Sequence, residues 1–247
     1  MKKRLDIILV ERELAPTRTR AQALIMAGQV STAGRILDKP GQTFDEAIEL
    51  HLKTQPKYVS RAGDKLASVA AELKLDFGGM VLLDAGSSTG GFTDFALQNG
   101  TLKSYCVDVG TGQLAYKLRQ DPRAIVMERT DIRVAKLPEQ PDLAVIDVSF
   151  ISLTKILEHV ADLVKPGAPI VAMAKPQFEA GKALADKHRG VIPVGLERDQ
   201  VLADLRDWIT GHGFEIAAEA DSKVSGMEGN VERFMLLRHG SHTKVKR

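Results

Sequence analysis

The sequence predicts an α/β fold: a mostly parallel sheet with an antiparallel edge hairpin, preceded by a small N-terminal α+β domain. Three observations carry that reading. From Met80 onward, short apolar runs alternate with helical patterns, as in a sheet covered on both faces. One strand–helix junction holds a glycine-rich turn, Leu83-Asp84-Ala85-Gly86-Ser87-Ser88-Thr89-Gly90-Gly91-Phe92-Thr93. The charge is also uneven. Residues 1–35 carry seven Lys/Arg against three acids, a net of +4, whereas residues 36–237 carry a net of −6. A basic N-terminal segment ahead of an acidic body suggests a small module that meets a polyanion.

Residues 5–14 read as a short amphipathic helix, broken at Pro16-Thr17. Thr17 is placed to cap a second helix whose apolar face holds Ala21, Leu24 and Ile25, and Gly28 ends it. Strands are expected at 29–32, 35–37 and 48–52, the first two joined at Ala33-Gly34. Residues 53–60 form a polar linker with Pro56, and Ser60 is expected to cap a helix running through Lys65 to Leu73. In the larger part, strands are expected at 80–84, 102–108, 124–127, 142–147, 168–174, 214–220 and 231–237. Helices are expected at 91–98, around 113–119, at 152–164 and at 196–210. The domains are therefore 1–56 and 57–240, followed by a basic tail, 241–247.

Composition removes several classes. The chain has 247 residues, 44% of them apolar, enough for a substantial core. A single cysteine, Cys106, excludes an intramolecular disulfide framework and a cysteine-rich metal site, and suits a reducing, cytoplasmic setting. No apolar run approaches the roughly 18 residues of a membrane span, and charges interrupt the N-terminal run too early for a signal peptide. No metal is expected. A monomer is the favoured oligomeric reading.

The chemistry is expected beyond the carboxyl ends of the strands, where such sheets bind ligands. The turn after the first strand is spaced Gly-x-x-x-Gly-Gly, unlike the Gly-x-Gly-x-x-Gly of pyrophosphate-binding turns, and no Lys-Ser/Thr pair follows it. With Asp84 ending that strand, the pattern suits a cofactor bearing an amino group and a ribose, which points to S-adenosylmethionine. Asp108 ends the second strand, about where an acid accepts hydrogen bonds from a ribose. Asp131 follows the third, Asp147 ends the fourth and Lys175 ends the fifth. The cofactor set is thus Asp84, Gly86, Ser87, Gly90, Gly91, Phe92, Asp108, Asp131 and Asp147.

Two resemblances extend this reading. The N-terminal segment resembles the RNA-binding domain first described in ribosomal protein S-four, through Arg4-Leu5-Asp6, Leu9-Val10, Thr19-Arg20-Ala21-Gln22-Ala23, Gly28-Gln29-Val30 and Lys39-Pro40-Gly41. The resemblance implies that Arg4, Arg18, Arg20 and Arg35 meet RNA phosphates. It departs at Thr32-Ala33-Gly34, where the family often has Val-Asn-Gly. Nearly the whole chain, about residues 4–238, resembles the hemolysin A (TlyA) family, whose catalytic domain is similar to FtsJ-type Rossmann-like methyltransferases. The segments that carry it are Tyr58 to Leu66, Asp84 to Thr93, Asp108 to Leu114, Asp147 to Leu153, Lys175-Pro176-Gln177-Phe178-Glu179 and Gly229-Asn230-Val231-Glu232. The family usually has Gly where Ala62 stands and often Asn where Asp131 stands.

That resemblance implies S-adenosylmethionine-dependent 2′-O-methylation of a cytidine ribose in ribosomal RNA, of the large subunit or of both, with a lean toward the large subunit. It also implies a catalytic tetrad of Lys65, Asp147, Lys175 and Glu232. The residue types make sense for the reaction: a ribose hydroxyl is a poor nucleophile and needs alignment and a nearby base. Aromatic content of 5% argues against an extended base-stacking platform, so folded RNA or a ribosomal subunit is the expected partner. Other readings are a non-catalytic RNA-binding assembly factor, a membrane-lysing protein and, against the glycine spacing, a nicotinamide dehydrogenase.

Overall fold

Two units make up the chain, Met1–Pro56 and Lys57–Arg247. The computed structural model describes residues 1–53, 56–226 and 229–240. The basic tail expected at 241–247 and part of the polar linker lie outside the described residues.

In the first unit, helices Leu5–Glu11 and Arg18–Met26 pack around Leu5, Leu9, Ala21, Ile25 and Val30, all fully buried. The Thr17 hydroxyl accepts the Arg20 N–H at 3.2 Å and caps the second helix as expected. The first helix stops earlier than its pattern suggested, because Glu13 turns the chain through a left-handed backbone (φ 58°). Strand Val30–Thr32 lies between Arg35–Ile36 and His51–Leu52. A further strand, Thr43–Asp45, pairs antiparallel with Lys2–Arg4. It has no apolar alternation of its own, and its partner lies some forty residues earlier in the chain.

The second unit opens with helix α1 (Arg61–Ala70), and seven strands follow in one sheet. They are β1 (Val81–Ala85), β2 (Lys103–Val107), β3 (Ala124–Met127), β4 (Leu143–Ile146), β5 (Pro169–Ala174), β6 (Phe214–Asp221) and β7 (Arg233–His239). Their spatial order is β6-β7-β5-β4-β1-β2-β3. The five central and right-hand strands are mutually parallel, while β7 runs antiparallel to both β5 and β6, forming the expected edge hairpin. Chain order reverses beside β1, whose neighbours are β2 and β4. The connections from β1 and β4 therefore diverge and open a crevice at their carboxyl ends.

Alternation along the strands builds two apolar layers. Leu82, Val145, Val171 and Met173 face α1 and helix α2 (Gly91–Gln98), packing with Leu66, Val69, Phe92 and Phe95. Leu83, Ala144, Ile146 and Ile170 face the other way, toward helices Leu157–Leu163 and Leu196–Gly211. The helix expected around 113–119 is confined to Tyr116–Arg119, because the Glu128 carboxylate takes the N–H groups of Gly112, Gln113 and Leu114 and holds that stretch as a loop. The pattern over 152–164 divides into a 3₁₀ turn, Leu153–Lys155, and the helix from Leu157. Short helices Pro176–Glu179 and Gly181–Lys187 follow β5 where none was expected.

Candidate active site

The loops after β1, β2, β3 and β4 enclose a cavity of about 610 Å³. That size suits a nucleoside-like cofactor. Its wall includes Gly86, Asp108, Asp131, Asp147, Phe150 and Arg133. Gly86 is required at the crevice for two reasons. Its backbone is left-handed (φ 84°), and a Cβ there would fall 2.6 Å from the Asp147 carbonyl oxygen. The loops of β1 and β4 can meet only over a glycine.

The expected cofactor residues fall into two groups. Gly86, Asp108, Asp131 and Asp147 line the cavity; Asp84, Ser87, Gly90, Gly91 and Phe92 do not. Asp84 lies buried beneath the turn, where its Oδ2 accepts the Thr93 N–H at 3.0 Å and the Thr93 hydroxyl at 2.7 Å. It ties the start of α2 to β1, and burial raises its carboxyl to about 7, with the nearby Asp147 and Asp108 charges adding to the shift. Gly90 faces Leu114 and Leu118. Gly91 lets α2 approach α1: a Cβ would lie 2.3 Å from Ser60 Oγ and 2.7 Å from Gly63 N. Ser60 stands at the start of α1 as expected, but its hydroxyl makes no capping hydrogen bond.

Two of the three acids of the wall are already shaped by their own loops. Asp108 accepts the Ser88 N–H at 2.8 Å and the Gly110 N–H at 2.7 Å, which fixes its carboxylate at the end of β2. Asp131 is gripped by Arg133, whose guanidinium holds the carboxyl down at about 2. Glu128, absent from the sequence-based set, accepts three successive backbone N–H groups and Arg119. Those bonds, led by Gly112 N–H, lower it to about 2 and fix the loop beside Asp108. With Asp131 paired to Arg133 and Asp147 to Lys175, the Asp108 carboxylate leaves the wall a negative balance among the described residues. Such a wall favours a cationic ligand over a pyrophosphate. On that balance the residues fit S-adenosylmethionine, and they disfavour a nicotinamide dinucleotide.

The expected tetrad stands as two ion pairs. Lys175 Nζ lies 2.6 Å from Asp147 Oδ1, an approach outside hydrogen-bond angles, and donates to Ser149 Oγ at 2.9 Å. Lys65 Nζ donates to Glu232 Oε1 at 2.7 Å, and Glu232 is only 3% exposed. The pairs are joined through the sheet. Ala174 of β5 is in register with Arg233 of β7 at the end of their ladder, and Lys175 follows the one while Glu232 precedes the other. Glu232 is seated by its surroundings: Gly226 leaves room for its carboxylate, and the buried side chains of Asn230 and Arg198 anchor the chain beside it.

Residues 58–239 match the FtsJ-like methyltransferase family, and residues 3–47 match the S4 domain. The chain belongs to the FtsJ-like methyltransferases of the hemolysin A (TlyA) group. The Bacillus subtilis protein YqxC is 44% identical over 96% of this chain and 86% of its own length. The 16S/23S rRNA (cytidine-2′-O)-methyltransferase TlyA of Mycobacterium tuberculosis is 38% identical over 95% of this chain and 89% of its own. A solved Streptococcus thermophilus structure, assigned as a hemolysin, superposes with a TM-score of 0.73 at 39% identity, covering 97% of this chain and 89% of that one. Among the described residues of this methyltransferase, no helix is long and apolar enough to cross a membrane, and no cluster of His, Cys, Asp and Glu is arranged to hold a metal.

The S4-type unit modifies the expectation for its arginines. Arg4 donates to both carboxylate oxygens of Asp6, at 3.0 and 2.9 Å, and Arg18 adds a third bond at 2.9 Å. Gln22 completes the set at 2.8 Å. Asp6 is fully buried, and the Arg4 guanidinium, with Gln22 and Arg18, holds its carboxyl well below the usual range. Arg4 and Arg18 are thus oriented and half-neutralised by one acid. Arg20 and Arg35 are exposed and make no ion pair among the described residues.

Proposed function

We propose that this methyltransferase uses S-adenosylmethionine to methylate the 2′-hydroxyl of a cytidine ribose in ribosomal RNA, with large-subunit RNA as the favoured substrate. Residues 1–56 deliver the RNA and residues 57–240 hold the cofactor and the chemistry. Membership of the family, the name of the tuberculosis relative and the acidic cavity support this reading. A protein acting on ribosomal RNA or subunits works in the cytoplasm.

The observation that carries the mechanism is the position of Lys175. Its ammonium contacts Asp147 and Ser149, both on the cavity wall, so it stands where the cofactor chamber meets the exterior. Bound there, S-adenosylmethionine supplies an electrophilic methyl on a sulfonium. Lys175, in its neutral form, accepts the 2′-hydroxyl proton as the oxygen takes the methyl group, leaving a thioether. Ser149 accepts an N–H of the amine and so orients its lone pair toward the hydroxyl. Lys65, on α1, and Glu232, at the entrance to β7, orient the ribose. Phe150, 91% exposed at the cavity mouth, offers a face for a base.

The test is transfer of labelled methyl to purified ribosomal RNA and to separated subunits by wild type and Lys175→Ala, with the site mapped by blocked 2′-O cleavage. Label on a cytidine ribose with wild type, and none with the variant, is expected. No label on any ribosomal substrate despite cofactor binding would overturn the reading in favour of a non-catalytic assembly factor.

A further inference from the structure

Two segments leave the neighbouring parallel strands β4 and β5 and run side by side beyond the sheet. One, residues 147–153, forms a wall of the cavity; the other, residues 175–179, begins with Lys175. They touch at three levels. Lys175 meets Asp147 and Ser149 nearest the sheet. The rings of Phe150 and Phe178 come next, with centroids 5.1 Å apart and planes tilted by 45°. Furthest out is Glu179, whose Oε2 accepts the Ser152 hydroxyl at 2.5 Å and whose Oε1 accepts the Leu153 N–H at 2.9 Å.

Between these anchors the chain does something unfavourable. Phe150 has a left-handed backbone (φ 65°), a conformation rare for a bulky side chain, and its ring is 91% exposed. No burial of its own offsets that arrangement. Such a residue persists only where its surroundings over-determine it. On the sheet side, the Asp147 N–H donates to the Ala85 carbonyl at 3.0 Å. On the far side the clamp is Glu179. The Ser152 hydroxyl it holds also accepts the Thr154 N–H at 3.1 Å and so starts the 3₁₀ turn. Burial pushes the Glu179 carboxyl above the usual range, so its two bonds are made in a costly setting.

We propose that Glu179 is a positioning residue for the reaction: by fixing Ser152 and Leu153 it holds Phe150 in its left-handed, outward pose against the segment that carries Lys175. The inference rests on the reading of Lys175 as the acting base and Phe150 as a face for the target nucleotide. Glu179 itself touches neither cofactor nor RNA.

The experiment is steady-state methyl transfer by full-length wild type, E179Q, E179A, F150A and the double variant F150A/E179A, with S-adenosylmethionine affinity measured by calorimetry. A displaced wall costs alignment, so E179A is expected to lower kcat by about 10-fold or more while leaving cofactor affinity within about two-fold. E179Q keeps an acceptor and is expected to recover most of that loss. If Glu179 acts through Phe150, the double variant is no slower than the worse single one. E179A with unimpaired kcat, or losses that multiply in the double variant, would overturn the proposal. Should E179A lose cofactor binding through misfolding, S152A takes away one of Glu179's two bonds together with the cap on Thr154: reduced kcat with retained cofactor affinity then supports the clamp, and unchanged kcat overturns it. Wild type inactive on every RNA sinks the functional reading itself, whereas active wild type with unimpaired E179A sinks only this inference.

Discussion

Lys65 Nζ and Glu232 Oε1 stand 2.7 Å apart although 167 residues separate them in the chain. One comes from the helix before the first strand of the large sheet, the other from the residue that enters its last strand. Both are largely buried, so neither can be removed without leaving the other's charge uncompensated. Glu232→Ala should destabilise the large unit by about 3 kcal/mol, measured by denaturant unfolding, and should lower methyl transfer at least about 10²-fold. Glu232→Gln should restore most of the stability and little of the rate. Equal recovery of both would assign Glu232 a purely structural part.

Close approach of two helices sets where Lys65 lies. Gly91→Ala would put a Cβ against Ser60 and the Gly63 backbone, which has no flexible end to move aside. We expect a loss of about 1–3 kcal/mol from overpacking, read as a lower thermal midpoint, together with reduced activity as α1 shifts. An unchanged midpoint would show that the two helices have room to part.

Asp84 makes stability depend on pH in an unusual direction. Folded, it keeps its proton to about pH 7; unfolded, it loses it near about pH 4. The folded chain therefore binds more protons in that window, so its contribution is complete below about pH 4, declines as pH rises and is level above about 7. The slope is about 1.4 kcal/mol per pH unit at its steepest. Asp84→Asn keeps an acceptor for Thr93 and should remove this slope, seen in denaturant titrations between pH 5 and about 8. A variant retaining the wild-type slope would refute the assignment.

Arg20 and Arg35 are the least encumbered of the arginines proposed to meet RNA. Replacing either with Ala should weaken RNA binding and reduce the slope of log affinity against log salt by about one unit each. Base specificity should not change, because phosphate contacts carry none. An unaltered salt slope would take that arginine off the RNA.

Much of this was legible in the sequence because strand ends advertise themselves. Asp108, Asp131, Asp147 and Lys175 each end or follow an apolar run, and parallel strands carry their chemistry at that edge. The N-cap at Thr17 and the closing hairpin were legible for the same local reason. What stayed hidden depends on partners far along the chain. Asp84 reads as a ligand contact until its Oδ2 is seen to accept both the N–H and the hydroxyl of Thr93. Gly91 reads as a cofactor glycine until α1 is seen lying against it. Arg4 and Arg18 read as free phosphate contacts, yet Asp6 sits beneath both. Glu128 carries no pattern at all, because its three donors are backbone groups.

The meeting of Lys65 with Glu232 also bears on the life of the protein before it is complete. A ribosome extends a chain from its N-terminus, so the S4-type unit, α1 and the entire parallel part of the sheet emerge while Glu232 is still unmade. A nascent copy can thus present the RNA-binding unit and the cofactor wall without its second ion pair. On the proposed role of Glu232, synthesis itself imposes an order of events: methyl transfer waits until the last strand has been added.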